Sequence, residues 1–422
     1  MSLEEAVLGS VPGETRRVLE GALEGRDLRV DDAVTLCSAR GPSLHALVAV
    51  ADHLRRTQVG ELVGYVVNRN VNFTNVCAKA CRFCAFSRTR RSEEGYFLPI
   101  EEIVRRALEA QAFGATEVCI QAGLAPGVDA RFYVALVREL KKAAPAMHVH
   151  ALSPEEVKFA ATESGWSFRR VLEEMKDAGL GSLPGTSAEV LDDRVRARIA
   201  PGRITTAEWI DVVTTAHAVG LRTTSTIMYG HVETDIERMR HLDLLRSIQR
   251  QTGGFTEFVP LSFVHEEAPM TLRQQLPDLR TGPTGDDVIR LYAIARLMLG
   301  STIRNVQVSW VKDGMRQAQW LLSCGANDFG GTLINESIST AAGSAHGQLQ
   351  TPLALRRAIR DAGRVPFERS TRYDVVRTFG PDAGPDERHP LDGVEDPDAT
   401  FGSYERLTRD ERFKFRLPVA AP

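Results

Sequence analysis

Three cysteines, Cys77, Cys81 and Cys84, fall in the run Asn75-Val-Cys-Ala-Lys-Ala-Cys-Arg-Phe-Cys-Ala-Phe86. This Cys-x3-Cys-x2-Cys spacing brings three thiolates together, one fewer than a closed metal site takes. A structural zinc ion is tetrahedral and fully ligated by protein, and a cuboidal iron–sulfur cluster is commonly held by one cysteine on each iron. Three cysteines leave one iron open to a small molecule. Two plainer readings stand beside this one: a zinc ion completed by a distant histidine, or packed thiols with no ligand, since free cysteine is often buried. Phe83 and Phe86 flank the last cysteine, either as a shield that keeps water from a cluster or as ordinary core phenylalanines.

Other groups with chemical potential sit in short polar runs. In Ile120-Gln121-Ala-Gly123 the glycine allows a close backbone approach to a ligand, with Gln121 beside it. His148 and His150 have the period-two spacing that sends both imidazoles to one face of a strand, as functional groups or as hydrogen-bonded structural ones. In Leu183-Pro-Gly-Thr-Ser-Ala-Glu189, Glu189 is expected to open a helix, whose N-terminal dipole favours a carboxylate; simple capping is the alternative. Met228-Tyr-Gly-His231-Val-Glu233 is a polar turn that no packing need explains, and His231 is read as facing substrate. Gly325-Ala-Asn327-Asp328-Phe-Gly-Gly331 supplies Asn327, suited to a ureide or an amino acid.

The elements that must position these groups follow from periodicity. From about residue 60 to 365, β-branched runs alternate with segments of helical period, the pattern of βα units around a parallel sheet. Roughly eight such units predict an α/β fold, a closed (β/α)8 TIM-type barrel. The expected strands are Gly64–Asn72, Thr116–Ala122, Met147–Leu152, Gly181–Leu183, Leu221–Met228, Thr256–Leu261, Ile303–Ser309 and Ala326–Phe329. Functional groups collect at the C-terminal ends of barrel strands, and the cysteine run directly follows the first. A helix is expected over 99–113, with Ile103, Val104, Ala107 and Leu108 on its inner face and Pro99 at its start. Thr205-Thr-Ala-Glu208 reads as a capping box before a stripe of Trp209, Val212, Val213 and Ala216, which is assigned to packing. Residues 1–59 read as an N-terminal helical cap with Val18, Leu19 and Leu23 on one face, 60–365 as the barrel, and 366–422 as a partly irregular extension. Within it, Gly380 to Thr400 carries prolines and aspartates almost without apolar period, as expected of a surface-draped or partly mobile tail.

Composition narrows the class. The chain has 422 residues, 43% hydrophobic and 25% charged, as a globular protein has. Its 52 basic and 55 acidic residues nearly balance, so no overall field draws it to nucleic acid or an anionic membrane. The N-terminal run lacks the basic start of a signal peptide, and no apolar stretch is long enough for a bilayer, so a cytoplasmic protein acting on small molecules is expected. Six cysteines are too few for a disulfide scaffold in a chain this long, and a reducing compartment suits a thiolate-bound cluster.

The cysteine spacing resembles that of the radical S-adenosylmethionine (SAM) superfamily. Tyr65 through Cys77, continuing to Phe86, resembles the branch that holds the deazaflavin synthase subunits and the futalosine enzymes of menaquinone biosynthesis. The runs Cys119–Gly123, Gly179–Glu189, Met228–Glu233, Gly253–His265 and Gly325–Gly331 are similar to the CofH subunit family of FO synthase, over roughly residues 15 to 375. Ala122 stands where many superfamily members have a second glycine. The resemblance implies one 4Fe–4S cluster on Cys77, Cys81 and Cys84, its open iron chelated by SAM, with Phe83, Gln121, Gly123 and Glu189 as SAM-binding residues and His231, Asn327 and His150 as catalytic ones. It implies transfer of the 4-hydroxybenzyl group of L-tyrosine to C5 of 5-amino-6-(D-ribitylamino)uracil, releasing 2-iminoacetate, methionine and 5′-deoxyadenosine, on the way to coenzyme F-420. An electron donor and a CofG-type radical SAM subunit are the implied partners. The rivals are aminofutalosine synthase or cyclic dehypoxanthinyl futalosine synthase, and, in another class, a metal-stabilised binding protein without turnover.

Overall fold

In the computed structural model, which describes residues 7–380 and 388–416, the βα alternation folds into a curled parallel sheet with helices around it. The first expected strand is two short ones, β1 (Leu62–Val66) and β2 (Asn68–Val71), separated at Val67. There follow β3 (Glu117–Ile120), β4 (His148–Ala151), β5 (Ser182–Leu183), β6 (Arg222–Tyr229), β7 (Phe255–Ser262), β8 (Asp328–Gly331), β9 (Val365–Arg369) and β10 (Val375–Thr378). Strands β2 to β7 lie side by side in chain order, each parallel to the next. Parallel neighbours need long crossovers, which the helices between them supply. The six strands form a partial TIM-type barrel.

A second sheet has the order β10-β9-β1-β8, with β1 parallel to both β8 and β9. Because β9 pairs with β1 along Leu62–Tyr65, the sheet runs past residue 365. The strand expected over Ile303–Ser309 is reduced to isolated bridges, Phe258 with Val306 and Gln307 with Asp328. Side chains explain the loss of a regular ladder. Asn327 Oδ1 accepts from Val306 N at 2.9 Å and Asn305 Nδ2 donates to Thr256 O at 2.9 Å, taking backbone groups that a ladder would pair.

The helix at Ile100–Ala112 buries Ile103, Ala107 and Ala110, whereas Leu108, expected inward, is 41% exposed. Thr205 and Glu208 form the expected capping box, and Trp209, Val212, Val213 and Ala216 are buried. Each of the two valines withdrawn from water contributes about 1.5–3 kcal/mol. Of three N-terminal helices, Val30–Cys37 packs on the helices Asp235–Thr252 and Gly285–Leu299, Pro42–Val59 packs on Gly285–Leu299, and Gly13–Leu23 packs on the other two. Among the described residues no helix is long and apolar enough to cross a membrane.

The tail expected to drape irregularly falls partly on 381–387, outside the described residues. Residues 388–416 instead hold short helices, Pro397–Phe401 and Tyr404–Thr408, that strap the cysteine loop. The Tyr404 ring lies 5.5 Å from Phe86, Phe97 N donates to Phe413 O at 2.7 Å, and Phe415 N donates to Gly95 O at 2.8 Å.

Candidate active site

The cysteine loop leaves β2 and is pinned by its own backbone. Ala78 N donates to Leu124 O at 2.9 Å, Arg82 N to Ile199 O at 2.8 Å and Cys77 N to Arg88 O at 3.0 Å. Cys81 is buried, Cys77 and Cys84 are half-buried, and all six cysteines are free thiols. A cavity of about 400 Å³ opens beside this loop. Its lining includes Cys77, Cys81, Cys84, Phe83, Gln121, Gly123, Glu189 and His150, so the fold gathers these sequence-predicted residues in one place.

The donor set suits an iron–sulfur cluster better than a closed zinc site. Three cysteines of one short loop line a single cavity, the set that leaves one iron of a cluster to a small molecule, and among the described residues no group of three or more His, Cys, Asp or Glu is placed to hold a single metal ion. Burial lifts the Cys77 thiol above its ordinary range and the Cys81 thiol to about 12. Such thiols become thiolates when a cationic centre binds them. Arg203 supplies a compensating charge: burial works against it, but Cys81, Glu189 and Glu155 hold its pKa above the usual arginine range. Its guanidinium donates to Glu189 Oε1 at 2.8 Å and stands 5.8 Å from the centre of the Phe83 ring.

Gly123 turns out to serve the loop. A Cβ there would lie 2.3 Å from Val76 O, and Gly123 N donates to Thr74 O at 2.8 Å, so the missing side chain lets the end of β3 press against the cysteine loop's backbone. Glu189 does not open a helix. It has φ of 45°, in the left-handed region, and the next helix begins at Asp193 with Asp192 as its cap. His148 and His150 do share a side, both within 2.7 Å of Ser182 Oγ, but only His150 lines the cavity. Burial lowers the His150 pKa to about 4, against the pull of Glu117, so the ring is neutral.

Two expected residues stand outside the cavity. His231 is fully enclosed: one ring nitrogen is 3.0 Å from Met228 O, the other accepts from Val232 N at 2.7 Å, and Glu233 stands beside it. It clasps the turn after β6. Asn327 precedes β8, at the opposite end of that strand from the mouth, where its amide oxygen accepts from Arg296 Nη2 at 2.7 Å.

The structure adds residues that motif reading passed over. The amide oxygens of Asn70 and Asn72 and the hydroxyl of Thr186 are buried without a hydrogen-bond partner, on residues that line the cavity. An unsatisfied buried polar atom costs about 1–3 kcal/mol, so a ligand or water in the cavity that bonds to these atoms is favoured. Their signal was in the sequence: Asn68, Asn70 and Asn72 alternate along one strand, which points all three amides to one side. Lys312, Glu336, Glu156 and Arg203 line the same cavity, and burial lifts the Glu156 carboxyl to about 7.

Comparison with known proteins identifies the family. The profile of the radical SAM superfamily matches residues 71–245, and that of the CofH/MqnC C-terminal region matches residues 252–380. The 5-amino-6-(D-ribitylamino)uracil–L-tyrosine 4-hydroxyphenyl transferase of Methanothermobacter thermautotrophicus is 45% identical over 87% of this chain and 99% of its own length. Its namesake in Methanocaldococcus jannaschii is 45% identical over 78% of this chain and 92% of its own. The FO synthase of Mycobacterium tuberculosis is 48% identical over 81% of this chain, which spans 40% of that longer protein. Among solved structures, the hydrogenase maturase HydG of Carboxydothermus hydrogenoformans superimposes with a TM-score of 0.66 at 12% identity, covering 88% of this chain and 83% of that one. Methylornithine synthase does so with 0.62 at 17%, covering 83% and 97%; both likenesses concern the fold. The chain therefore belongs to the radical SAM superfamily and, within it, to the family of CofH-type 5-amino-6-(D-ribitylamino)uracil–L-tyrosine 4-hydroxyphenyl transferases.

Proposed function

We propose that this chain moves the 4-hydroxybenzyl group of L-tyrosine to C5 of 5-amino-6-(D-ribitylamino)uracil, in the cytoplasm, before a CofG-type subunit completes FO. The observation that carries the reading is one cavity in which the cysteine loop faces walls of unsatisfied amides and buried charges. In this reading the ring is closed, its seventh position filled by the bridged stretch at Val306 and Gln307.

Cys77, Cys81 and Cys84 would hold a 4Fe–4S cluster, which when bound supplies one-electron reductive cleavage of SAM for hydrogen abstraction. The chain's own work is placement. Arg203, steadied by Glu189 and Glu155, offsets the negative charge of the thiolates. Phe83, Gln121 and Gly123 form the wall next to that loop, where SAM would lie. His150, neutral and tied to Ser182, offers a hydrogen bond without a charge that would need solvation. The strap at Tyr404 covers Phe86 and keeps water from this side of the loop. Holding reactants in one geometry in a dry site is what a radical step asks of a protein. His231 and Asn327, outside the cavity, are given structural parts.

The test is anaerobic incubation of the reconstituted protein with SAM, dithionite, tyrosine and 5-amino-6-(D-ribitylamino)uracil, read by mass spectrometry. 5′-Deoxyadenosine together with a 4-hydroxybenzyl–uracil adduct is expected. Deoxyadenosine without the adduct would shift the function to the futalosine enzymes of menaquinone biosynthesis. Neither product, with zinc in the metal analysis, would leave a binding protein without turnover.

A further inference from the structure

One wall of the cavity carries charges that the cysteine loop does not use. Lys312 lies in the first turn of the helix Trp310–Leu321 after the bridged stretch, Glu336 follows β8, and Asn70 lies on β2, so three neighbouring positions of the ring each contribute one group. The bridge between Arg69 and Ile334 brings the Glu336 segment alongside β2. Glu336 accepts from Asn70 Nδ2 with one oxygen and from Ser339 N at 2.8 Å with the other. Lys312 Nζ has a single contact, donating to Ser339 Oγ at 3.4 Å, and forms no ion pair among the described residues. Burial lowers its pKa, opposed first by Glu336. A half-buried ammonium with so weak a contact is complementary to an incoming anion. Next to it, the orphaned Asn70 Oδ1 and the Glu336 carboxylate are complementary to an incoming cation. Val311, Leu333 and Ile338 line the cavity beside these groups and offer an apolar surface.

We infer that Lys312, Glu336 and Asn70 read the zwitterionic end of an α-amino acid: Lys312 takes the carboxylate, and Glu336 with Asn70 Oδ1 takes the ammonium. Both SAM and tyrosine carry such an end. In the transferase reading, on which this assignment rests, the cysteine-loop side of the cavity would hold the cluster and SAM, and the site on this wall takes tyrosine, with the apolar residues along its ring.

Calorimetric titration of the reconstituted holoenzyme, with SAM and without reductant, decides it. The probes are L-tyrosine, tyramine, which lacks the carboxylate, and 3-(4-hydroxyphenyl)propanoate, which lacks the ammonium. The wild type is expected to prefer tyrosine over tyramine by about 100-fold, as a desolvated charge pair allows. Lys312→Met should collapse that ratio towards one and Lys312→Arg should keep most of it, while Glu336→Gln collapses the preference over the propanoate. SAM affinity, and the change SAM causes in the electron paramagnetic resonance spectrum of separate samples reduced with dithionite and frozen at once, should stay as in the wild type, which also shows that the variants fold. A Lys312→Met protein that keeps the tyrosine to tyramine ratio overturns the inference alone. So does one that loses SAM and keeps tyrosine. A wild type that binds SAM but no tyrosine overturns the transferase reading, and the inference with it.

Discussion

Cys81 is the most enclosed of the three motif cysteines, which makes it the sharpest probe of what the loop is for. Replacing it with alanine removes a sulfur and little volume, so the fold should lose no more than about 1–2 kcal/mol. Iron, sulfide and turnover should all vanish while the circular dichroism spectrum is kept; a fully active Cys81→Ala protein would sink the cluster mechanism. The cysteines were legible because their relation is local, within one short loop. His231 misled for a related reason. A polar turn looks free in sequence, but His231 spends both ring nitrogens on backbone groups of its own turn, and nothing in a residue's type reveals that its partners are a few atoms away. Asn327 was the right kind of residue on the wrong end of a strand, a distinction made by a boundary of one residue before β8.

Among the elements, the strap of residues 388–416 has the clearest consequence. It holds the long loop between β2 and the helix Ile100–Ala112 through Phe413, Phe415, Tyr404 and Lys414. Ending the chain after Gly380 leaves all ten strands intact and frees that loop. Each backbone hydrogen bond lost is worth about 0.5–1.5 kcal/mol, so the loop should open roughly tenfold more often. Iron loss in air should accelerate by a similar factor, and limited proteolysis should begin to cut near Arg90 and Arg91; equal rates for both proteins would mean that the strap does not hold the loop. Strong local signals predicted elements well, as with the capping box at Thr205 and Glu208. The stretch at Ile303–Ser309 departed from its β-branched pattern because Asn305 and Asn327, set by contacts far along the chain, satisfy backbone groups there.

At the scale of the whole molecule, buried histidines tie stability to pH. His241 links the helix Asp235–Thr252 to β6, accepting from Leu191 N at 3.0 Å and standing 3.0 Å from Thr226 O, and burial lowers its pKa to about 3. Above about pH 6.5 it is neutral in both folded and unfolded chains and adds no pH dependence. Below that the unfolded chain takes up a proton that the folded one refuses, so stability falls as pH falls. The gap in unfolding free energy between wild type and a His241→Gln variant should therefore be constant above about pH 6.5. It should narrow by about 1.4 kcal/mol per pH unit below it, down to about pH 3. A gap that widens on acidification would show the ring charged in the folded state. By itself the sequence determined the αβ alternation, the near balance of charge and the three-cysteine loop at a strand's end, because each is carried by neighbouring residues or by composition. Only the tertiary structure decided which polar groups face the cavity. Arg203, Lys312 and Glu336 come from distant segments, and strand register together with burial, which no local pattern encodes, turns them toward the same cavity while turning His231 and Asn327 away.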